Sequence, residues 1–139
     1  MLMVVVTISP FDWLTDFEQA KNLAKQNDKM ILLNFSGSDW CAPCIQMKKT
    51  VFETSEFHDY ASQKLVLVKA DFPRHKKNQL DAGQKALNEK LAELYNPKGK
   101  FPLTLLLDID GKVIAEWDGY EGAKAEEFVN ELKAKVNGK

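Results

Sequence analysis

Two side chains stand out for their chemistry: Cys41 and Cys44, in the run Trp40-Cys41-Ala42-Pro43-Cys44, which are the only cysteines of the chain. A C-x-x-C pair can exchange disulfides, supply half of a zinc site, or be two buried thiols with no chemistry. A zinc site would have to be completed by His58 and His75, which lie much further apart than the roughly three to five residues of a finger. Disulfide exchange fits the placement better. An apolar run ends at Phe35, a polar stretch Ser36-Gly37-Ser38-Asp39 follows, and a helical pattern (Ile45, Lys48, Lys49, Phe52) begins after Cys41. Free N–H groups at a helix start, with the helix dipole, favour an anion there. A thiolate is the nucleophile of disulfide exchange. The two-residue spacer brings Cys44 one helical turn on, within reach of a mixed disulfide at Cys41. Pro43 suits a first helical turn, where its missing N–H costs little. The turn-prone loop and the Ala-Pro spacer predict that at least Cys41 is exposed.

The elements that must hold this pair are legible in outline. Val4–Ile8 reads as a short strand ended by Ser9-Pro10. Thr15-x-x-Glu18 reads as a capping box for a helix to about Asn27, with Phe17, Ala20, Leu23 and Ala24 at helical spacing. Met30–Phe35 and Leu65–Val68 are short apolar runs of the kind found in fully buried strands. A second helical piece follows Ser55. Asn78–Tyr95 reads as an amphipathic helix with Leu80, Leu87, Leu91, Leu94 and Tyr95 on its inner side. Phe101–Leu107 and Lys112–Trp117 form two strands around Asp110-Gly111, read as a two-residue hairpin turn. A last helix, Ala123–Val136, turns Phe128, Val129, Leu132 and Val136 inward. The predicted order is β-α-β-α-β-α-β-β-α, an α/β chain with early parallel pairing and an antiparallel edge.

Composition narrows the function classes. The 139 residues predict one domain over 1–139. With 19 Lys and Arg against 20 Asp and Glu, the net charge is −1, which gives no compositional reason for nucleic-acid binding. Hydrophobic residues at 45% argue against disorder. No stretch reaches the roughly 18 apolar residues of a transmembrane helix. The apolar start Met1–Val6 lacks a basic flank, so it is read as a first strand or as the stub of an export signal, not as an intact signal peptide.

At this point the chain resembles the thioredoxin superfamily, from about Thr15 to Val136. The resemblance rests on Ile31-Leu32-Leu33-Asn34-Phe35 leading into Asp39-Trp40-Cys41-Ala42-Pro43-Cys44, on Phe101-Pro102 before Leu103–Leu107, and on the Asp110-Gly111 hairpin. It implies a thioredoxin fold, a central mixed β-sheet flanked by helices. It also implies a thiol–disulfide oxidoreductase with Cys41 attacking and Cys44 resolving, with no metal or organic cofactor. Pro102 would be the cis-proline beside the pair, and the Phe101 backbone would pair with an extended substrate segment. The implied partners are a disulfide-containing protein substrate and an upstream thiol donor, with the chain acting as a monomer. The Gly37-Ser38-Asp39-Trp40 lead-in and the Ala-Pro spacer are most similar to bacterial thioredoxin-like proteins, and favour the periplasm or cell envelope and the reducing direction. A peptide-binding or chaperone-like module, or a dedicated relay to one envelope partner, is the alternative.

Three departures accompany the resemblance. Asn34 stands where thioredoxins carry a buried acid. The Asn34–Cys41 connection is one residue longer than in thioredoxin itself, and the Arg74–Lys100 segment is expanded, with its helix placed before the cis-proline strand. Trp40 is read as shaping the rim of the site or packing on the neighbouring loop, and Asp39 as a surface loop residue. His58 and His75 are read as ordinary surface or helix residues. Arg74-His75-Lys76-Lys77 is read as a solvated loop that could also steer an acidic partner. Asp108-x-Asp110-Gly111 has no downstream glutamate of a calcium loop and is read as a turn. Trp117 and Tyr120 are placed under the last helix.

Overall fold

The structure is a computed structural model and describes residues 12–138. The predicted strand Val4–Ile8 lies outside the described residues. Two apolar runs become the inner strands. β1 (Met30–Ser36) and β3 (Leu103–Leu107) pair antiparallel, while β2 (Leu65–Asp71) lies parallel on the other side of β1, and β4 (Val113–Asp118) pairs antiparallel with β3. The strand order is β2-β1-β3-β4. The early parallel pair and the late antiparallel edge follow the predicted topology, and helices cover both faces. At Leu14 the chain adds a parallel bridge to Val68, on the outer side of β2.

The two-residue period of β1 and β3 divides the interior into two cores. Ile31, Leu33 and Phe35 with Leu103, Leu105 and Leu107 face α1 (Phe17–Asn27) and α4 (Ala82–Tyr95). Leu32 and Leu106 face the opposite side, with α2 (Ala42–Met47), a following π-helical turn (Lys48–Phe52), α3 (Ser55–Lys64) and α5 (Ala125–Asn137). That second core is aromatic. Phe57 sits 5.1 Å from Phe52 and 6.3 Å from both Trp13 and Phe128. Trp117 and Tyr120 pack against the same cluster, as placed from the sequence; the Trp117 ring lies 5.1 Å from Phe128 and its Nε1 donates to Glu131 at 2.6 Å.

Several local expectations are corrected. The helix α1 is capped by Asp16 rather than Thr15, because one carboxylate oxygen accepts from both the Glu18 and Gln19 N–H groups. It ends at Asp28, which adopts the left-handed conformation at φ 52°. The long helix begins at Ala82, not Asn78, with Asp81 as its cap. Its predicted inner stripe holds only in part: Leu91 is buried and Tyr95 packs against the same core, but Leu87 and Leu94 are 49% and 69% exposed. The helix is further anchored by Asn88, whose amide donates to the Asp71 carbonyl at 3.0 Å, and by the Tyr95 hydroxyl, which donates to the Gly111 carbonyl. The hairpin turn has three residues, not two. Asp108 and Lys112 close it, Gly111 takes φ 85°, and the Asp108 carboxylate accepts from the Asp110 and Lys112 N–H groups.

Candidate active site

β1 runs straight into the site. Its last residue, Ser36, accepts from the Phe72 N–H at 2.9 Å. The chain then turns, with the N–H groups of Trp40 and Cys41 donating to the Gly37 carbonyl at 3.2 and 2.9 Å. This turn needs glycine for space, since a Cβ at residue 37 would overlap the Trp40 indole. Cys41 caps α2 in an extended conformation, and its Sγ accepts from the Cys44 N–H at 3.3 Å. A disulfide joins Cys41 to Cys44, with their Cα atoms 5.2 Å apart. Cys44 Sγ accepts from the Gly37 N–H at 3.5 Å. Each sulfur is thus held by a main-chain donor.

The expected exposure of Cys41 is not found. Both cysteines are 5% exposed. Cys41 is held against the Gly37 turn by its N–H, and the spacer residues Ala42 and Pro43 take the exposed positions instead.

The second strand end at the site comes from β3. The Phe101–Pro102 peptide is cis. Because Phe35 pairs with Leu103, Pro102 falls beside Ser36, at the end of the sheet that carries the disulfide. Its carbonyl accepts from the Gly119 N–H at 2.8 Å, beyond β4. Phe101 is half-buried, and its ring makes edge contacts with Trp40 at 5.3 Å and with Phe72 at 5.5 Å. Trp40 also packs on the neighbouring loop: its Nε1 donates to the Phe72 carbonyl at 2.7 Å, and the Arg74 guanidinium lies over its ring at 3.6 Å. The geometry thus brings two segments far apart in sequence, Trp40–Cys44 and Phe101-Pro102, to the same end of the sheet.

Asp39 is more than a surface loop residue. Its carboxylate accepts from the Arg74 and His75 N–H groups at 2.9 and 3.0 Å and from the Asn78 amide at 3.0 Å. Desolvation pushes its pKa upward, but these three hydrogen bonds and the His75 ring outweigh it and lower the pKa to about 2. Ser38 ties the same two loops together through Asp71, by its N–H at 3.0 Å and its hydroxyl at 2.6 Å. No local pattern distinguishes Asp39 from a solvated loop acid, because its partners lie 35 to 39 residues away.

Beneath the site, Asn34 and Thr104 are register partners on β1 and β3. Both are buried, and the Asn34 amide donates to Thr104 Oγ1 at 3.0 Å. Thr104 Oγ1 in turn lies 4.0 Å from Met47 Sδ on α2. The position expected to be a buried acid therefore holds a satisfied neutral pair. His58 lies on α3 and His75 in the loop after β2, away from each other in the chain's organisation. Among the described residues no cluster of three or more His, Cys, Asp or Glu could hold a metal ion. None of the described helices is long and apolar enough to cross a membrane.

Comparison with known proteins agrees with this architecture. Residues 17–135 match the family described as "Thioredoxin-like domain". The chain is 35% identical over 118 residues to "Disulfide bond reductase DsbH" of Chlamydia pneumoniae, covering 85% of this chain and 69% of that protein. A solved structure titled "DsbH Oxidoreductase" superimposes with a TM-score of 0.82 at 31% identity, covering 99% of this chain and 92% of that one. The oxidised C-terminal domain of Neisseria meningitidis DsbD shares the fold, with a TM-score of 0.61 at 18% identity over 86% of this chain and 91% of that one. The mixed four-stranded sheet is a thioredoxin fold, and the chain belongs to the thioredoxin-like domain family.

Proposed function

We propose that the chain, a thiol–disulfide oxidoreductase of the thioredoxin-like family, reduces protein disulfides with Cys41 and Cys44. The observation that carries this reading is the Cys41–Cys44 disulfide at the start of α2, at the same sheet end as the cis Phe101–Pro102 peptide. In the reduced protein the Cys41 thiolate attacks one sulfur of a substrate disulfide. That S–S bond breaks, the first substrate thiolate leaves and takes a proton, and a mixed disulfide forms at Cys41. Cys44 then loses its proton to solvent and attacks the Cys41 sulfur, expelling the second substrate thiolate. Two electrons have passed to the substrate, and the pair ends as the disulfide. An upstream dithiol donor restores it by the same exchange in reverse. Cys41 takes the attacking role because it caps the start of α2, where free main-chain N–H groups favour the thiolate. Phe101 pairs its main chain with an extended substrate segment, and Trp40 and Pro102 shape the surface around it. The cycle uses no metal or organic cofactor.

Identity to a protein named as a disulfide bond reductase supports the reducing direction. We place the chain in the periplasm or cell envelope on the Gly37-Ser38-Asp39-Trp40 lead-in and the Ala-Pro spacer. The test is reduction of insulin by dithiothreitol, with wild type, Cys41→Ser and Cys44→Ser. Both variants are expected to lose catalysed turnover, and Cys44→Ser to accumulate a mixed disulfide. Equal rates in all three would overturn the reading. A reduction potential near the roughly −270 mV of thioredoxin supports a reductase, and one near about −120 mV an oxidant.

A second reading, a peptide-binding or chaperone-like module, is favoured by one observation: Asn34 offers no ionisable group beneath the pair. On that reading the double serine variant binds peptides as tightly as wild type and the pair is dispensable.

A further inference from the structure

The loop after β2 carries Arg74, Lys76 and Lys77 within four positions, and the stretch from Phe72 to Leu80 contains no acidic residue. These cations stand out against a chain whose overall charge is only −1. They are exposed, and among the described residues none of the three makes an ion pair. Their placement is fixed rather than free. Asp39, two positions before Cys41, grips the Arg74 and His75 main chain and the Asn78 side chain. Asp39 binds the Arg74 main-chain N–H, and among the described residues its carboxylate makes no ion pair with the Arg74 guanidinium. That guanidinium lies over the ring of Trp40, the residue next to Cys41, at 3.6 Å, and Trp40 makes an edge contact with Phe101.

We propose that Arg74, backed by Lys76 and Lys77, selects substrate segments that carry an acidic residue beside the disulfide to be reduced. The inference rests on the reductive reading above and names the substrate class it would prefer. A planar guanidinium stacked on an indole keeps its N–H edge available for a carboxylate. A segment lying along Phe101 passes the Trp40 edge, so an Asp or Glu near its cysteine comes within reach of Arg74. The neighbouring lysines add attraction that salt screens.

The test uses two synthetic peptides with one disulfide each, identical except for Glu or Gln flanking one cysteine. Each kcat/KM is divided by the rate of the same peptide with dithiothreitol, which removes the effect of Glu on the peptide's own sulfurs. Wild type is expected to favour the Glu peptide by about two- to fivefold at low salt, and less in high salt. Arg74→Lys should keep part of the preference, Arg74→Gln should lose most of it, and Arg74→Glu should reverse it. Lys76→Glu with Lys77→Glu, which leaves the Trp40 stack in place, should shift the ratio the same way by less. Equal normalised rates in wild type, or a ratio unmoved by Arg74→Glu, overturn charge selection while leaving the redox reading intact. Failure of wild type to reduce either peptide overturns both.

Discussion

The core under α3 and α5 and the loops around the disulfide are built on opposite terms. The core is Trp13, Phe52, Phe57, Phe128 and their aliphatic neighbours, with contact geometry set by ring shape. The loops have only a small aromatic trio, Trp40, Phe72 and Phe101. They are sewn by directed hydrogen bonds: Asp39 to residues 74, 75 and 78, Asp71 to Ser38, and Trp40 to Phe72. Burial of this kind supplies most of the free energy of folding but tolerates small shifts. Hydrogen bonds to exposed carboxylates add little free energy yet fix positions to within tenths of an ångström. The molecule therefore separates what holds it folded from what aims its chemistry.

Four substitutions can break or sharpen that separation. Phe57→Ala strikes the core and should cost about 3–5 kcal/mol in denaturant unfolding, with turnover per folded molecule retained; a loss of turnover without a loss of stability would contradict the division. Thr104→Val tests the boundary between the regions. It leaves the buried Asn34 amide without its acceptor and should cost about 1–3 kcal/mol. The double variant Asn34→Leu with Thr104→Val removes both polar groups and should recover much of that loss, which a double-mutant cycle will read.

Asp39→Asn should have the smallest effect on stability and the clearest signature in pH. The folded protein holds the Asp39 pKa near 2, below its ordinary 3.8. The folded state therefore binds fewer protons than the unfolded state between those values. Its contribution is complete above about pH 4 and disappears as the pH falls through about 2. Melting temperatures of wild type and Asp39→Asn should differ most at neutral pH and converge near pH 2. A constant gap across that range would remove the hydrogen-bonded carboxylate from the account.

The same division explains what could be read from the chain alone. Apolar runs betray buried strands, so Met30–Phe35, Leu65–Val68 and Leu103–Leu107 were legible, as was the strand-to-helix setting of the cysteines. The inward face of α5 was legible too, since Phe128, Val129 and Leu132 recur at helical spacing. The outer leucines of α4 misled because periodicity reports an apolar stripe without saying whether the fold covers it. Its true anchors, Asn88 and Tyr95, bind main-chain carbonyls of distant segments. Asp39, the Arg74 stack and the Asn34–Thr104 pair escaped for the same reason: each partner is supplied by strand register or by a remote loop. The burial of Cys41 escaped because it depends on a turn whose space is set by one glycine and one indole.

The buried polar side chains among the described residues are Asn34, Ser36, Asn88, Asn96 and Thr104. All five are amides or hydroxyls that neither gain nor lose a proton across the physiological range. The polar pair directly beneath the cysteines, Asn34 and Thr104, therefore keeps one electrical state while its surroundings change.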